Sequence, residues 1–152
     1  MKPEKLRAKA FAMLARREHS RQEMQKKLIE KGADAADVIA LLDELAEKNY
    51  QSDTRMSEVL LRESLRKGQG KRRLQHNLKQ HRIHEDTLQD ALSDIDWLYE
   101  AVRLRCRRFG DALPSTPKEK ARQLRFLQYR GYEGDLCYRA IGMSVLDLDD
   151  DE

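Results

Sequence analysis

At 152 residues, with 38% charged and 39% hydrophobic residues, the chain is long enough for one domain or a row of small units, yet it holds apolar material for only one face of each element. Only 7 Gly and 3 Pro, with few β-branched residues, exclude a sheet-rich fold, and no apolar run approaches the ~18 residues of a membrane span. The net charge is +3, but the last six residues, DLDDDE, contain five acids; removing them leaves +8 on residues 1–146. A basic body with an acidic tail suits a polyanionic or acidic partner, or simply a well-solvated helical surface.

In chain order, the apolar spacing predicts helices over 3–17, 20–31, 35–49, 53–67, 71–81, 85–95, 97–109, 117–130 and 134–142. Ser20–Glu23 reads S-x-x-E and Thr116–Glu119 reads T-P-K-E. Both spell a capping box at a helix start, the second with Pro117 at the favoured first position. Gly32, Gly68, Gly110 and Gly131 stand where helices must stop. Asp94 and Asp96 read as helix-boundary residues.

The pattern repeats. At an offset of 50, Met24 falls on Leu74, Leu28 on Leu78, Val38 on Leu88, Leu41 on Ala91, Leu42 on Leu92 and Leu45 on Ile95. A further 49 places Leu127 third after Leu28 and Leu78, Gly131 under Gly32, and Cys137, Ala140 and Ile141 under Val38, Leu41 and Leu42. A period near 50 residues accommodates three short helices, a unit that cannot bury its apolar face alone. The expected organisation is all-α, with three-helix repeats at 1–50, 51–95 and 96–143 and a flexible acidic tail at 144–152.

Opposite the Leu74 and Leu78 stripe lie Arg72, Arg73, His76 and Lys79. The same outward slots hold Glu23 and Lys26 in the first repeat, and Arg122 and Arg125 in the third. Arg62, Arg66, Lys67 and Lys71 surround the RKGQGK turn, and Arg103, Arg107 and Arg108 add charge further on. Stacked in line, these side chains make a basic ridge that grips phosphates or an acidic groove; taken singly, they are solvated helix faces. RKGQGK lacks both the GxxxxGK[ST] spacing and the preceding strand of a phosphate loop, and reads as a flexible helix connection.

In order and spacing, ARREHSRQEMQKKL (Ala15–Leu28), NYQSDTR (Asn49–Arg55), SLRKGQGKRRLQHNL (Ser64–Leu78) and RFLQYRGY (Arg125–Tyr132) resemble the RecX regulatory proteins over almost the whole chain. The resemblance implies three tandem three-helix units in an elongated, slightly curved, solenoid-like row. It also implies a non-enzymatic regulator that binds the RecA recombinase, typically as a filament on single-stranded DNA, and modulates filament growth and the linked ATP hydrolysis. The family-like positions are Arg17, Glu18, His19 and Ser20; Tyr50, Asp53 and Arg55; Arg66, Lys67, Gly68 and Gly70; and Arg130, Gly131 and Tyr132. Ser20 is accounted for as a cap, Gly131 as a helix stop and Tyr50 as an anchor between units, which leaves Arg17, Arg55, Arg66, Lys67 and Arg130 as contact candidates. Met56 stands where the family often has an aromatic, and the acidic tail is longer in charge than the family pattern. The tail suggests an autoinhibitory segment that folds over the basic ridge.

The rival reading is a stand-alone DNA-binding protein. Aromatic residues are only 6% of the chain, which leaves few platforms for stacking bases. No HExxH, GxSxG or metal-spaced Cys/His set points to an enzyme, a metal or a cofactor; His81 and His84 read as surface or boundary residues. Cys106 and Cys137, 31 residues apart without a CxxC, are expected to be reduced thiols of a cytoplasmic, monomeric protein.

Overall fold

A computed structural model describes residues 1–149, with the backbone alone described at Asp149; Asp150, Asp151 and Glu152, half of the acidic tail, lie outside the described residues. The described residues are helical throughout their regular structure. In order they form α1 (Pro3–Arg16), α2 (Arg21–Glu30), α3 (Ala35–Glu47), α4 (Asp53–Arg66), α5 (Lys71–Gln80), a 3₁₀ turn (Glu85–Leu88) running into α6 (Gln89–Ser93), α7 (Trp97–Phe109), α8 (Pro117–Tyr129), α9 (Gly134–Ile141) and α10 (Val145–Asp149).

Three tandem three-helix repeats account for α1 to α9, and the repeat register is also the burial register. Met24, Leu74, Leu28, Leu127, Val38 and Cys137 are fully buried, and Leu78, Leu88, Leu92 and Ile141 nearly so. Each of these sits on the inward stripe of its helix, where its apolar surface leaves water.

The chain forms two compact units, Met1–Leu60 with Asn77–Gln89, and Leu61–His76 with the residues from Asp90 onward. The first unit holds a core of Leu6, Ala10 and Met13 from α1, Met24 and Leu28 from α2, and Val38, Leu42 and Leu45 from α3. In the second, Ala101, Val102 and Leu104 of α7 pack with Leu127 of α8 and Cys137, Ala140 and Ile141 of α9. The middle repeat shares its apolar residues out. Met56, Leu60, Leu78, Ile83 and Leu88 belong to the first unit, and Leu74 and Leu92 to the second. A segment of that size buries too little surface to support a core of its own.

Helix ends follow the side-chain chemistry. Ser20 forms a complete capping box: its Oγ accepts from the Glu23 N–H and its own N–H donates to the Glu23 carboxylate. Thr116 makes only half of one. It accepts from the Glu119 N–H, while the Glu119 carboxylate turns to Arg122 and Gln123. Asp96 caps α7 by accepting from the Tyr99 N–H.

Two expectations are corrected. The helix expected over 85–95 is a 3₁₀ turn joined to a five-residue helix, in a stretch (EDTLQDALS) whose Asp, Thr and Ser residues compete for backbone hydrogen bonds. The tail expected to be flexible from 144 begins as α10. Leu148 packs against the second core, the Val145 N–H donates to Asp111, and Ser144 and Asp147 exchange hydrogen bonds. Leu148 and Asp111 supply the burial and the acceptor that a solvated acidic segment lacks.

α7 carries a side chain that its neighbours would not suggest. Arg105 is fully buried, and among the described residues no carboxylate pairs with it. Its guanidinium donates to the carbonyls of Met143 at 2.8 Å, Ala112 at 3.3 Å and Asp111 at 3.4 Å, and so ties the 110–116 loop and the approach to α10 onto α7. Both cysteines are free; burial pushes each thiol up, Cys137 to about 11, away from the reactive thiolate.

Candidate functional site

The ARREHS and NYQSDTR motifs close on each other in the first unit. Arg55 donates through Nε to Glu18 and through its two terminal nitrogens to the carbonyls of Asn49 and Tyr50, each at 3.1 Å. It thereby clamps a turn in which Asn49 adopts φ 61°. Asp53 accepts from the Arg21 N–H at 2.8 Å and from Gln51, whose amide also reaches the His19 carbonyl. Ser20 donates to the His81 carbonyl. Arg17 bonds the Glu18 carbonyl and the Glu23 carboxylate at 2.9 Å. Glu23 also lies 3.2 Å from the His81 ring. Burial alone would raise its carboxyl, but the hydrogen bonds from Arg17 and Ser20, with the charges of Arg17 and His81, override that and hold it at about 2.

Arg17 and Arg55 are thus engaged within the protein and are less available as contacts than the sequence implies. His19 is 4% exposed. Tyr50 is half-exposed; its ring stacks edge-on against Phe11 of α1 at 5.3 Å, and its carbonyl accepts from Arg55.

RKGQGKRR and QYRGY interlock in the second unit. Gly68 ends α4 with φ 69°. The next glycine, Gly70, donates to the Arg130 carbonyl at 2.8 Å, and Arg72 donates to the Gly131 carbonyl at 3.0 Å. Two of the unpaired donors that open α5 are therefore satisfied by the end of α8. The approach is close enough to require glycine. A Cβ on Gly70 would sit 2.6 Å from Gly131 backbone atoms, and one on Gly131, at φ 97°, would sit 2.6 Å from Arg73 Cβ. Arg130 donates to the Lys67 carbonyl at 2.8 Å, and Arg73 to that of Tyr129 at 3.0 Å. Tyr132 is buried behind this junction, and burial raises its phenol far above the usual range.

Around the locked turn the exposed surface is basic. Arg62, Arg66, Lys67 and Arg72 are exposed, and Lys71, Arg73 and Arg130 are partly buried. On α8, Arg122 and Arg125 are exposed, the former 3.6 Å from Glu119 and over the Phe109 ring. Lys26 and Lys79 are exposed on α2 and α5, Lys26 within 3.9 Å of Glu30. Of these side chains, Arg130 and Arg73 are anchored at the junction, on the main-chain carbonyls of Lys67 and Tyr129, while Arg62 and Arg66 lie one turn apart on α4.

Tyr129, which sequence reasoning passed over, is 77% exposed with the Arg73 guanidinium 5.8 Å from its ring centre. A signal existed. The repeat register places Glu30, Gln80 and Tyr129 in one slot, so an aromatic stands where the other repeats carry polar residues.

The profiles of the three three-helix domains of RecX match in sequence: the first over residues 7–53, the second over 52–92 and the third over 98–141. The chain belongs to the RecX family. Its similarity to the regulatory protein RecX of Acinetobacter baylyi is 43% identity, covering 90% of this chain and 86% of the relative. The RecX of Halorhodospira halophila is 38% identical over 87% of this chain and 83% of its own length. The crystal structure of RecX from Lactobacillus salivarius superposes with a TM-score of 0.79 at 18% identity, covering 92% of this chain and 94% of that one, and so shares the RecX fold. Within that fold, the four family-like motifs of this RecX chain hold two backbone junctions together, and the basic side chains project around them.

Proposed function

We propose that this protein is a non-enzymatic regulator that binds the RecA recombinase, in the groove of its filament on single-stranded DNA, and modulates filament extension or disassembly with the linked ATPase and strand-exchange activities. That places it in homologous recombination, DNA repair and the SOS response, in the cytoplasm, with no membrane role, acting as a monomer. The observation that carries the reading is the α4–α5 turn of a RecX chain, held rigid by Gly70, Gly131 and Arg130 while Arg66, Lys67 and Arg72 remain exposed. A preorganised basic surface meets an acidic or phosphate-bearing groove without the entropic cost of ordering a loop. Repeated units add weak contacts along a repeating partner through effective concentration.

RecA ATP hydrolysis on single-stranded DNA, followed as the protein is titrated in, tests the reading. A change is expected at protein levels well below those of RecA. Reversing the charges of Arg66, Lys67 and Arg72 together raises the concentration for half-effect by about tenfold or more. No effect of the wild-type protein at equimolar RecA refutes the proposal.

A second reading, direct binding of single-stranded DNA, is favoured by Tyr129, an exposed ring beside a guanidinium of the kind on which a base stacks. Its sign is anisotropy of a labelled oligonucleotide without RecA. Tyr129→Ala weakens binding by about 1–3 kcal/mol if the ring is a platform, and leaves it unchanged if it is not.

A further inference from the structure

The first unit contains an open cleft of about 550 Å³ lined by Arg16, Arg17, Lys27, Lys31, His19 and Met13. It lies where the last turn of α1 meets the last turn of α2. Four cations converge on this one space, and no carboxylate is among the side chains that line it. Glu23, the acid bonded to Arg17, is itself held between Arg17 and His81.

The floor is a polar group that burial leaves with a free hand. His19 is 4% exposed, and its Nδ1 lies 3.0 Å from the Arg17 carbonyl, to which the ring donates. Nε2 is then the nitrogen left for a ligand. Arg17, Lys27 and Glu23 are the charges that act on the ring, Arg16 and Lys31 share the lining of the cleft, and the Gln51 amide lies on the His19 carbonyl. Burial, followed by the charges of Arg17 and Lys27, holds the imidazole below its ordinary 6.5 against the opposing pull of the Arg17 carbonyl and Glu23.

We propose that this cleft binds phosphate groups, those of a nucleotide's polyphosphate or of a nucleic-acid strand, with Arg16, Lys27 and Lys31 supplying charge and His19 a hydrogen bond from its floor. Phosphate fits better than an acidic peptide. A phosphate concentrates charge and several acceptor oxygens at one tetrahedral centre, as a convergent set of cations requires, whereas peptide carboxylates are spread along a backbone. An anion in the cleft also reverses the balance of charge around His19, so binding draws a proton onto Nε2. The assignment stands independently of RecA, since it needs only the first unit and a phosphate.

The test uses the full chain at low salt. Tripolyphosphate is titrated by calorimetry into the wild type, into Lys27→Ala with Lys31→Ala, and into a control pair, Lys118→Ala with Lys120→Ala, on exposed positions of α8. The cleft variant is expected to bind at least tenfold more weakly and the control to match the wild type. The His19 ring, followed by NMR, is expected to titrate at higher pH when tripolyphosphate is present. Displacement of tripolyphosphate by an oligothymidylate identifies a strand as the ligand, with a salt slope that falls by about 0.7 for each phosphate contact removed in the cleft variant. Failure of that displacement, with tripolyphosphate still bound, identifies a free polyphosphate. Equal weakening in both variants, an unmoved His19, or tighter binding of polyglutamate than of tripolyphosphate overturns the proposal. A lower melting temperature of the cleft variant with unchanged phosphate affinity also overturns it, by assigning the lysines to the negative end of α2 alone.

Discussion

Replacing Glu23 with glutamine isolates one charge in the first turn of α2. The amide keeps an oxygen that accepts from the Ser20 N–H, so the cap survives, while the ion pair with Arg17 at 2.9 Å is lost and the carboxylate 3.2 Å from the His81 ring becomes neutral. The Glu23 carboxyl titrates at about 2 in the folded protein against 4.5 ordinarily, and its side chain is only 11% exposed, so solvent screens it little. A difference of that size corresponds to about 3 kcal/mol of stability. Because the folded value is the lower one, the contribution is complete above about pH 5 and is lost as the pH falls from 4.5 towards 2. Urea unfolding followed by far-UV circular dichroism, at pH 7, 5, 4, 3 and 2, measures it. The wild type is expected to exceed Glu23→Gln by about 2–3 kcal/mol at pH 7, and the gap is expected to close by pH 2. A gap that stays constant across that range, or that is absent at pH 7, refutes the assignment of the charge to this network.

Three further outcomes follow from the same geometry. Gly131→Ala, which puts a Cβ 2.6 Å from Arg73 Cβ at φ 97°, is expected to cost about 3 kcal/mol or more, whereas Gly32→Ala, at φ 100° with nothing within 4 Å, costs only about 1 kcal/mol; thermal melts of the two compare steric and conformational terms. Arg82 occupies the register slot of Gly32 and Gly131 and adopts φ 57°, so Arg82→Gly is expected to raise stability by up to about 1 kcal/mol, read as a higher urea midpoint. Arg105→Met strands the Met143, Ala112 and Asp111 carbonyls, and is expected to cost at least about 3 kcal/mol and to open the 110–116 loop to limited proteolysis; a wild-type cleavage pattern would contradict the clamp.

Apart from the 85–95 stretch and α10, the helices, the cap at Ser20, the boundary at Asp96, the stops at Gly32, Gly68, Gly110 and Gly131, and the threefold register of buried residues were legible in the sequence. They depend on neighbours within one turn or on a 3.6-residue period, and such local rules act before any tertiary contact forms. The family resemblance was legible too, because its motifs lie in order along the chain. Their meaning was not. That Arg55 belongs to Glu18, Asp53 to the Arg21 N–H, and Arg130 to the Lys67 carbonyl depends on contacts between residues 32 to 63 positions apart, which no local pattern encodes. Arg105 carries the same lesson. An arginine among Arg103, Arg107 and Arg108 reads as surface charge until a loop and a later segment bring three carbonyls to it. Sequence therefore determined which faces are apolar and where most helices begin and end. Tertiary structure decided which charges are consumed in holding the chain's motifs together and which, around the α4–α5 turn and the α1–α2 cleft, stay exposed, because a cation's availability is set by the acceptors that folding brings within reach.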